Sequence, residues 1–414
     1  MSAFKLSGID INKTDDKGDT PLFKACDIGD LEIVKSCLIV EGIDLNKTDK
    51  NKITPLNIAC QRGHYEIVKT LISEAGVALG IDVNKVNNAG VSPLLIASYN
   101  GNLEMVKLLT TSEKINLNID DKHGITPLLI ACQRGHLEIV KYFITLKQIE
   151  INKLDANGIS AVSIATQNGH IEVVKVLLAV NASYNQADND GHTPMYIASQ
   201  ENHLEIVKIL KEAGADISTP KKDGCTPIYI ASLKGNLEIV RILLSYGGEV
   251  NIVNGMDATP LLIACYNGHT EVAKLICTAT GVDLNRKMGN DTNSLLLACA
   301  LGHQAIVEAL VAAGADINIA NLDGCTPLSS ATETKRFEIV KLLIDKGADV
   351  NKARNNGVTP LIIACKLGDL NIVKLLLATK LVDINQADKD GATPMSVATS
   401  GNHTDIINAL KGEN

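Results

Sequence analysis

The sequence predicts an all-α repeat solenoid made of helix pairs joined by polar turns, and three observations predict it. One phrase, approximating T-P-L-x-I-A-C-x-x-G-H-x-E-I-V-K-x-L-L and then D-x-N, recurs at Thr20, Thr54, Ser92, Thr126, Ser160, Thr193, Thr226, Thr259, Asn293, Thr326, Thr359 and Thr393. Successive spacings are 33 or 34 residues, with one of 38. A period that regular over nearly the whole chain belongs to a stack of equivalent units, not to a closed globule. Hydrophobic residues make up 45% of the 414 positions, yet aromatics make up only 3% and Trp is absent. The core is therefore small and aliphatic, and each unit completes it only against its neighbours.

The repeat that starts at Thr126 shows why each element forms. The Thr126 hydroxyl is placed to cap a helix, and Pro127 falls at the first helical position, where its missing N–H costs nothing. Leu128, Ala131 and Cys132 follow at i, i+3, i+4, one apolar stripe. Gly135 ends this helix, because the tight reversal needs a left-handed backbone. In the second helix Ile139, Val140, Phe143 and Ile144 form the apolar stripe, while Glu138 and Lys141 face water three residues apart. An extended Glu150-Ile151-Asn152 follows, then a polar turn, Asp155 to Gly158, which leads into Ser160.

Several units depart from this rule. Asn293-Ser294 and Ser160-Ala161 replace Thr-Pro, Lys52 and Asp257 stand where the turn glycine belongs, and Lys335, Asn202 and Asn402 replace the reversal glycine. The weak turn of the ninth unit, Met288 to Thr292, predicts lower local stability or a bend over residues 286–294. The 38-residue spacing comes from Ala75 to Gly80, read as extra surface loop.

Eight of the ten cysteines fall at two phases of the repeat. Cys26, Cys60, Cys132, Cys265, Cys299 and Cys365 share one phase, and Cys225 and Cys325 share another. Cysteine here replaces a small buried residue, which predicts reduced thiols and a cytoplasmic setting. Seven histidines, His64, His136, His170, His203, His269, His303 and His403, occupy the reversal. One per layer makes a ladder and not a converging ligand set, so no metal is expected. The sequence carries no phosphate loop, dinucleotide fingerprint, zinc-protease helix or nucleophile elbow. Neither catalytic residues nor cofactors are expected, and the chain reads as non-enzymatic.

The lysine or arginine after E-I-V is matched by a glutamate three residues earlier in most units, so that stripe neutralises itself. With a net charge of −8, this argues against nucleic acid or an anionic membrane as partner. No segment is long and apolar enough for a signal peptide or a membrane helix.

Thr-Pro-Leu, the Gly-His pair, Glu-Ile-Val-Lys, the runs Gly314 to Asn318 and Gly347 to Asn351, and the turns Asp188 to Gly191 and Asp388 to Gly391 together resemble the ankyrin repeat over roughly residues 8–411. The resemblance implies helix-turn-helix units with β-turn fingers in a curved stack, its concave face lined by fingers and first helices. With helices packed 8–10 Å apart, twelve layers would reach on the order of 110 Å. Residues 1–19 read as a partial N-terminal unit with the first finger, 20–411 as twelve repeats in a single solenoid, and 412–414 as a tail.

If function is a surface, its signal is variation at exposed phases of the phrase. The two residues before each reversal vary while their flanks do not, and Arg62, Tyr99, Arg134, Leu233, Tyr266, Leu301 and Leu367 among them have the chemistry of protein-binding hot spots. The finger tips add Lys50, Lys122, His123, Lys222, Met256, Leu322 and Asn355. Tyr196 and Tyr229 lie in a core-edge phase. The resemblance also implies that finger asparagines such as Asn46, Asn84, Asn318, Asn351 and Asn385 are possible hydroxylation sites, although turn hydrogen bonding explains them more simply. The expectation is a monomeric scaffold or adaptor binding partner proteins through the concave face. The alternative is a substrate-recognition subunit of a larger enzymatic or regulatory complex.

Overall fold

The computed structural model describes residues 10–289 and 291–412, and those residues form 25 helices and no strand. The chain divides into two compact units, Met1–Ala215 and Asp216–Asn414. In the first, the first helices of the repeats are Pro21–Ile28, Pro55–Arg62, Pro93–Tyr99, Pro127–Arg134, Ala161–Gln167 and Pro194–Gln200, and the second helices are Leu31–Leu38, Tyr65–Leu71, Leu103–Leu109, Leu137–Phe143, Ile171–Ala179 and Leu204–Glu212. In the second unit the first helices are Pro227–Lys234, Pro260–Tyr266, Ser294–Leu301, Pro327–Glu333, Pro360–Lys366 and Pro394–Ser400, paired with Leu237–Ser245, Thr270–Cys277, Gln304–Ala312, Phe337–Asp345, Leu370–Ala378 and Thr404–Lys411.

Within each unit a first helix packs on its own second helix and on the first helices of adjacent repeats. That sandwiching buries more than the predicted stripe. Every residue from Pro127 to Cys132 is buried, because a first helix has neighbours on three sides and only its last turn reaches solvent. The second helices bury the expected stripe, with Ile139, Val140 and Phe143 at 2% exposure or less. Ile144, expected in that stripe, is only half-buried, because it caps the helix instead of continuing it.

All twelve residues at the Thr position accept a hydrogen bond from the backbone N–H three residues on, as in Leu129 N to Thr126 Oγ1 at 3.2 Å. Asn293 does the same with Oδ1, at 2.9 Å from Leu296 N. The ninth repeat thus keeps its cap although it lacks Thr-Pro. The predicted weakness at 286–294 includes Asn290, which lies outside the described residues, as do residues 1–9 of the partial unit and residues 413–414 of the tail.

Two local expectations are corrected. Ala75 to Gly80 is not a loop: Glu74–Ala78 is a short helix packed on Tyr65–Leu71. Gly76 lies so close to this neighbour that a Cβ would fall 1.7 Å from the Leu71 carbonyl oxygen. Nor is Glu150-Ile151-Asn152 extended. It is a turn, closed by Lys153 N to Glu150 O at 3.1 Å, and Glu150 N donates to Asn118 Oδ1 of the preceding repeat at 2.9 Å instead of to a β-partner.

Candidate functional site

Most fingers are turns tied by one side-chain oxygen; Lys221, Met288 and Arg354 stand at that position in the exceptions. Asp121 Oδ1 accepts the N–H groups of His123 and Ile125 at 2.8 and 2.9 Å, and Asp155 Oδ1 accepts those of Asn157 and Ile159 at 2.9 and 2.7 Å. A side-chain acceptor two and four residues upstream of its donors fixes the loop. Successive fingers are linked by backbone, with Lys122 N to Ala89 O at 3.0 Å and Ala156 N to His123 O at 2.9 Å.

Fingers and first helices share one face. Finger residue Asp15 pairs with first-helix residue Lys24 at 2.8 Å, Asn254 Nδ2 donates to Tyr229 Oη at 3.0 Å, and the His192 and Tyr196 rings lie 5.1 Å apart. Tyr196 and Tyr229 are 2% and 4% exposed, which places both in the core. In the eleventh repeat Arg354 replaces the finger acceptor and turns to Glu333 of the tenth repeat, 2.5 Å away, and to Cys325 Sγ at 3.4 Å. The sequence signal for this cluster was an arginine at the phase of the finger aspartate, which sequence reasoning passed over.

The reversal histidines bond between repeats. The Nε2 atoms of His136, His170 and His269 lie 3.1, 3.0 and 2.9 Å from the carbonyl oxygens of Tyr99, Gln133 and Leu233 in the preceding repeats. A carbonyl only accepts, so Nε2 carries the proton in each. These histidines make no cap bond to their own helices, whereas Asp30, Asn102 and Asp369 at the same phase do. The asparagine of D-x-N donates its backbone N–H within its own turn, as in Asn46 N to Asp44 Oδ1 at 2.9 Å, while its side chain bonds across repeats in several units. Asn118 Oδ1 accepts from Glu150 N at 2.9 Å while its Nδ2 donates to Gln148 O at 2.8 Å. Asn46, Asn84 and Asn351 repeat both bonds, and Asn318 makes the first.

The seven candidate binding residues divide by environment. Tyr99, Tyr266 and Leu301 are 47%, 55% and 40% exposed. Arg62 and Arg134 are exposed, but each contacts the neighbouring repeat. Arg62 Nε donates to Asp27 Oδ1 at 2.8 Å, and the Arg134 guanidinium lies 4.1 Å over the Tyr99 ring. Leu233 and Leu367 are half-buried, and their carbonyls accept from His269 and from Lys335 Nζ. Of the finger tips, Met256 and Leu322 are 69% and 60% exposed. Ile39 and Leu381, which follow second helices, are 79% and 75% exposed and had no signal beyond their position after the apolar run.

All ten cysteines are free, nine of them buried and Cys325 half-buried. Burial pushes the thiols of Cys37, Cys225 and Cys277 up to about 11 and that of Cys365 up to about 12. Among the described residues no cluster of side chains could hold a metal ion, and no helix is long and apolar enough to cross a membrane.

The family profile described as ankyrin repeats (3 copies) matches residues 2–85, 77–155, 143–221, 213–288, 280–354 and 351–414. No curated protein matches the chain.

Proposed function

The chain belongs to the ankyrin repeat family, whose repeats are generally protein–protein interaction modules, and from that premise we propose that it is an interaction scaffold or adaptor that binds partner proteins through its fingers and the last turns of its first helices. One observation carries this reading. Where the first helices are otherwise mostly buried, their last turns present exposed side chains that change from repeat to repeat, with Ile28, Tyr99, Tyr266 and Leu301 the large apolar ones. Arg134 lies over Tyr99, and Arg62, Leu233 and Leu367 stand at the ends of other first helices. Aromatic and arginine side chains held in place by neighbours are the usual energetic centres of protein interfaces. Residues 20–411 are read as one array of twelve such repeats, acting as a monomer in the cytoplasm without catalysing a reaction.

The experiment is affinity capture with the full chain and with the Tyr99→Asp/Tyr266→Asp variant. Capture of specific partners should fall at least tenfold in the variant while helical content is unchanged. Undiminished capture would remove these residues from the interface.

A further inference from the structure

Although the chain is acidic as a whole, its finger face is not uniformly so. In repeats 2 to 4 the exposed cations of that face are Lys50, Lys52, Arg62, Lys122 and Arg134, with His123 beside them. The carboxylates there are Asp49 and Asp121, and each already accepts two backbone N–H bonds inside its finger. The ends of the same unit are net acidic on that face, with Asp15, Asp16, Asp19 and Asp27 against Lys17 and Lys24 in repeat 1, and Asp190 and Glu201 in repeat 6. The two arginines are also held in place. Arg134 stacks 4.1 Å over Tyr99, and Arg62 is ion-paired through Nε with Asp27 of repeat 1 at 2.8 Å, which leaves its two terminal NH₂ groups to face a second carboxylate. A guanidinium fixed on an aromatic ring keeps a planar edge of N–H donors for a carboxylate and loses little side-chain freedom when it binds.

Resting on the interaction reading above, we propose that repeats 2 to 4 dock a carboxylate-rich, extended segment of a partner protein, with Arg62 and Arg134 as its anchors and the finger lysines as its rim. Three repeats at helix-packing distance span about 20 Å, the length of roughly six to eight extended residues. The basic band selects the acidic segment. The acidic flanks of the unit repel a longer polyanion, which favours a short peptide stretch over nucleic acid.

The test uses the full chain and a fluorescein-labelled octapeptide rich in Glu and Gly, a counterpart with every Glu replaced by Gln, and an oligothymidine of similar length. The Glu peptide should bind at least tenfold more tightly than the Gln peptide. That binding should weaken between 50 and 300 mM salt as screening grows. It should fall at least tenfold in Arg62→Glu/Arg134→Glu but not in Lys141→Glu/Lys175→Glu, which makes the same change in net charge on the second-helix face. Equal binding of the two peptides, no binding at millimolar peptide, tighter binding of oligothymidine, or indifference to the arginine reversals would overturn the proposal. If partner capture still depends on Tyr99 and Tyr266 while the Glu peptide fails, the acidic class falls and the interaction reading stands.

Discussion

The His170 ring occupies the space where a side chain on Gly135 would begin: a Cβ built on Gly135 falls 2.6 Å from His170 Cε1 and Nδ1. The reversal glycine thus does two jobs. Its φ of +71° requires a left-handed backbone, and its missing Cβ makes room for the histidine of the next repeat. Gly29, Gly101, Gly169, Gly235, Gly268 and Gly368 stand in the same relation to His64, His136, His203, His269, His303 and His403. Where the next repeat has a short Asp or Asn in place of the histidine the constraint relaxes, whereas Arg336 still crowds Gly302, with Cζ 2.8 Å from its would-be Cβ. Lys335 takes the reversal at φ 55° and is followed by Asp369, and Gly63, followed by Asn102, has nothing within 4 Å of its would-be Cβ.

Gly63→Ala and Gly135→Ala therefore separate the two jobs. Gly63→Ala should cost about 1 kcal/mol for the left-handed backbone alone. Gly135→Ala should cost that plus overpacking of about 1–3 kcal/mol. In Gly135→Ala/His170→Asn the excess should largely vanish, because Asn102 fills this phase in the third repeat and caps its own helix. Urea denaturation of the four proteins gives the comparison, and equal losses at Gly63 and Gly135 would exclude the steric role.

Asn118 clamps two repeats with both side-chain atoms, so Asn118→Ala removes two bonds between units of the stack. The expected loss is about 1–3 kcal/mol. The amide of Glu150 should then exchange with solvent markedly faster, while that of Leu129, held by Thr126, should not. Hydrogen exchange read by NMR or mass spectrometry distinguishes this from uniform destabilisation.

Thiol labelling should be ordered. Treated with iodoacetamide at pH 8 without denaturant, Cys325 should react first, since it is the one cysteine not buried. The other nine should follow only after urea is added, because buried thiols with raised proton affinity yield little thiolate. Peptide mass spectrometry identifies the labelled site. Early labelling of Cys60 or Cys132 would contradict the packing described here.

Asp188 gives a pH dependence of defined sign. Burial opposes its ionisation, but hydrogen bonds from the His192 backbone and ring and from the Asp190 backbone outweigh that and hold its carboxyl below the usual carboxylate range. A lowered folded-state value means the contribution is whole above the unfolded value, about 3.9. It is lost as pH falls through the folded value. Asp188→Asn keeps the acceptor oxygen, as Asn87 and Asn254 do in their own fingers. The stability difference between the two proteins should therefore be constant above about pH 5 and shrink or invert below pH 4. A difference independent of pH down to 2.5 would rule out this carboxylate as the source.

The sequence alone determined the period, the paired helices, the caps and the reversals, because each follows from contacts within a few residues. A hydroxyl at Thr126 meets an N–H three positions on, and Gly135 tolerates a backbone that few residues can. The phase of Cys26, Cys60, Cys132, Cys265, Cys299 and Cys365 likewise announced their burial. What only the tertiary structure decided lies between repeats, 30 or more residues apart in the chain. It includes His170 seated against Gly135, Asn118 clamping residues 148 and 150, and Arg134 lying over Tyr99. It also includes the complete burial of Pro127–Cys132 where one stripe was expected. The physical reason is that a periodic sequence specifies each unit nearly in full but says little about which side chains meet across the stacking distance. That distance sets which side chains are sandwiched, which bond to the next layer and which remain exposed to bind a partner.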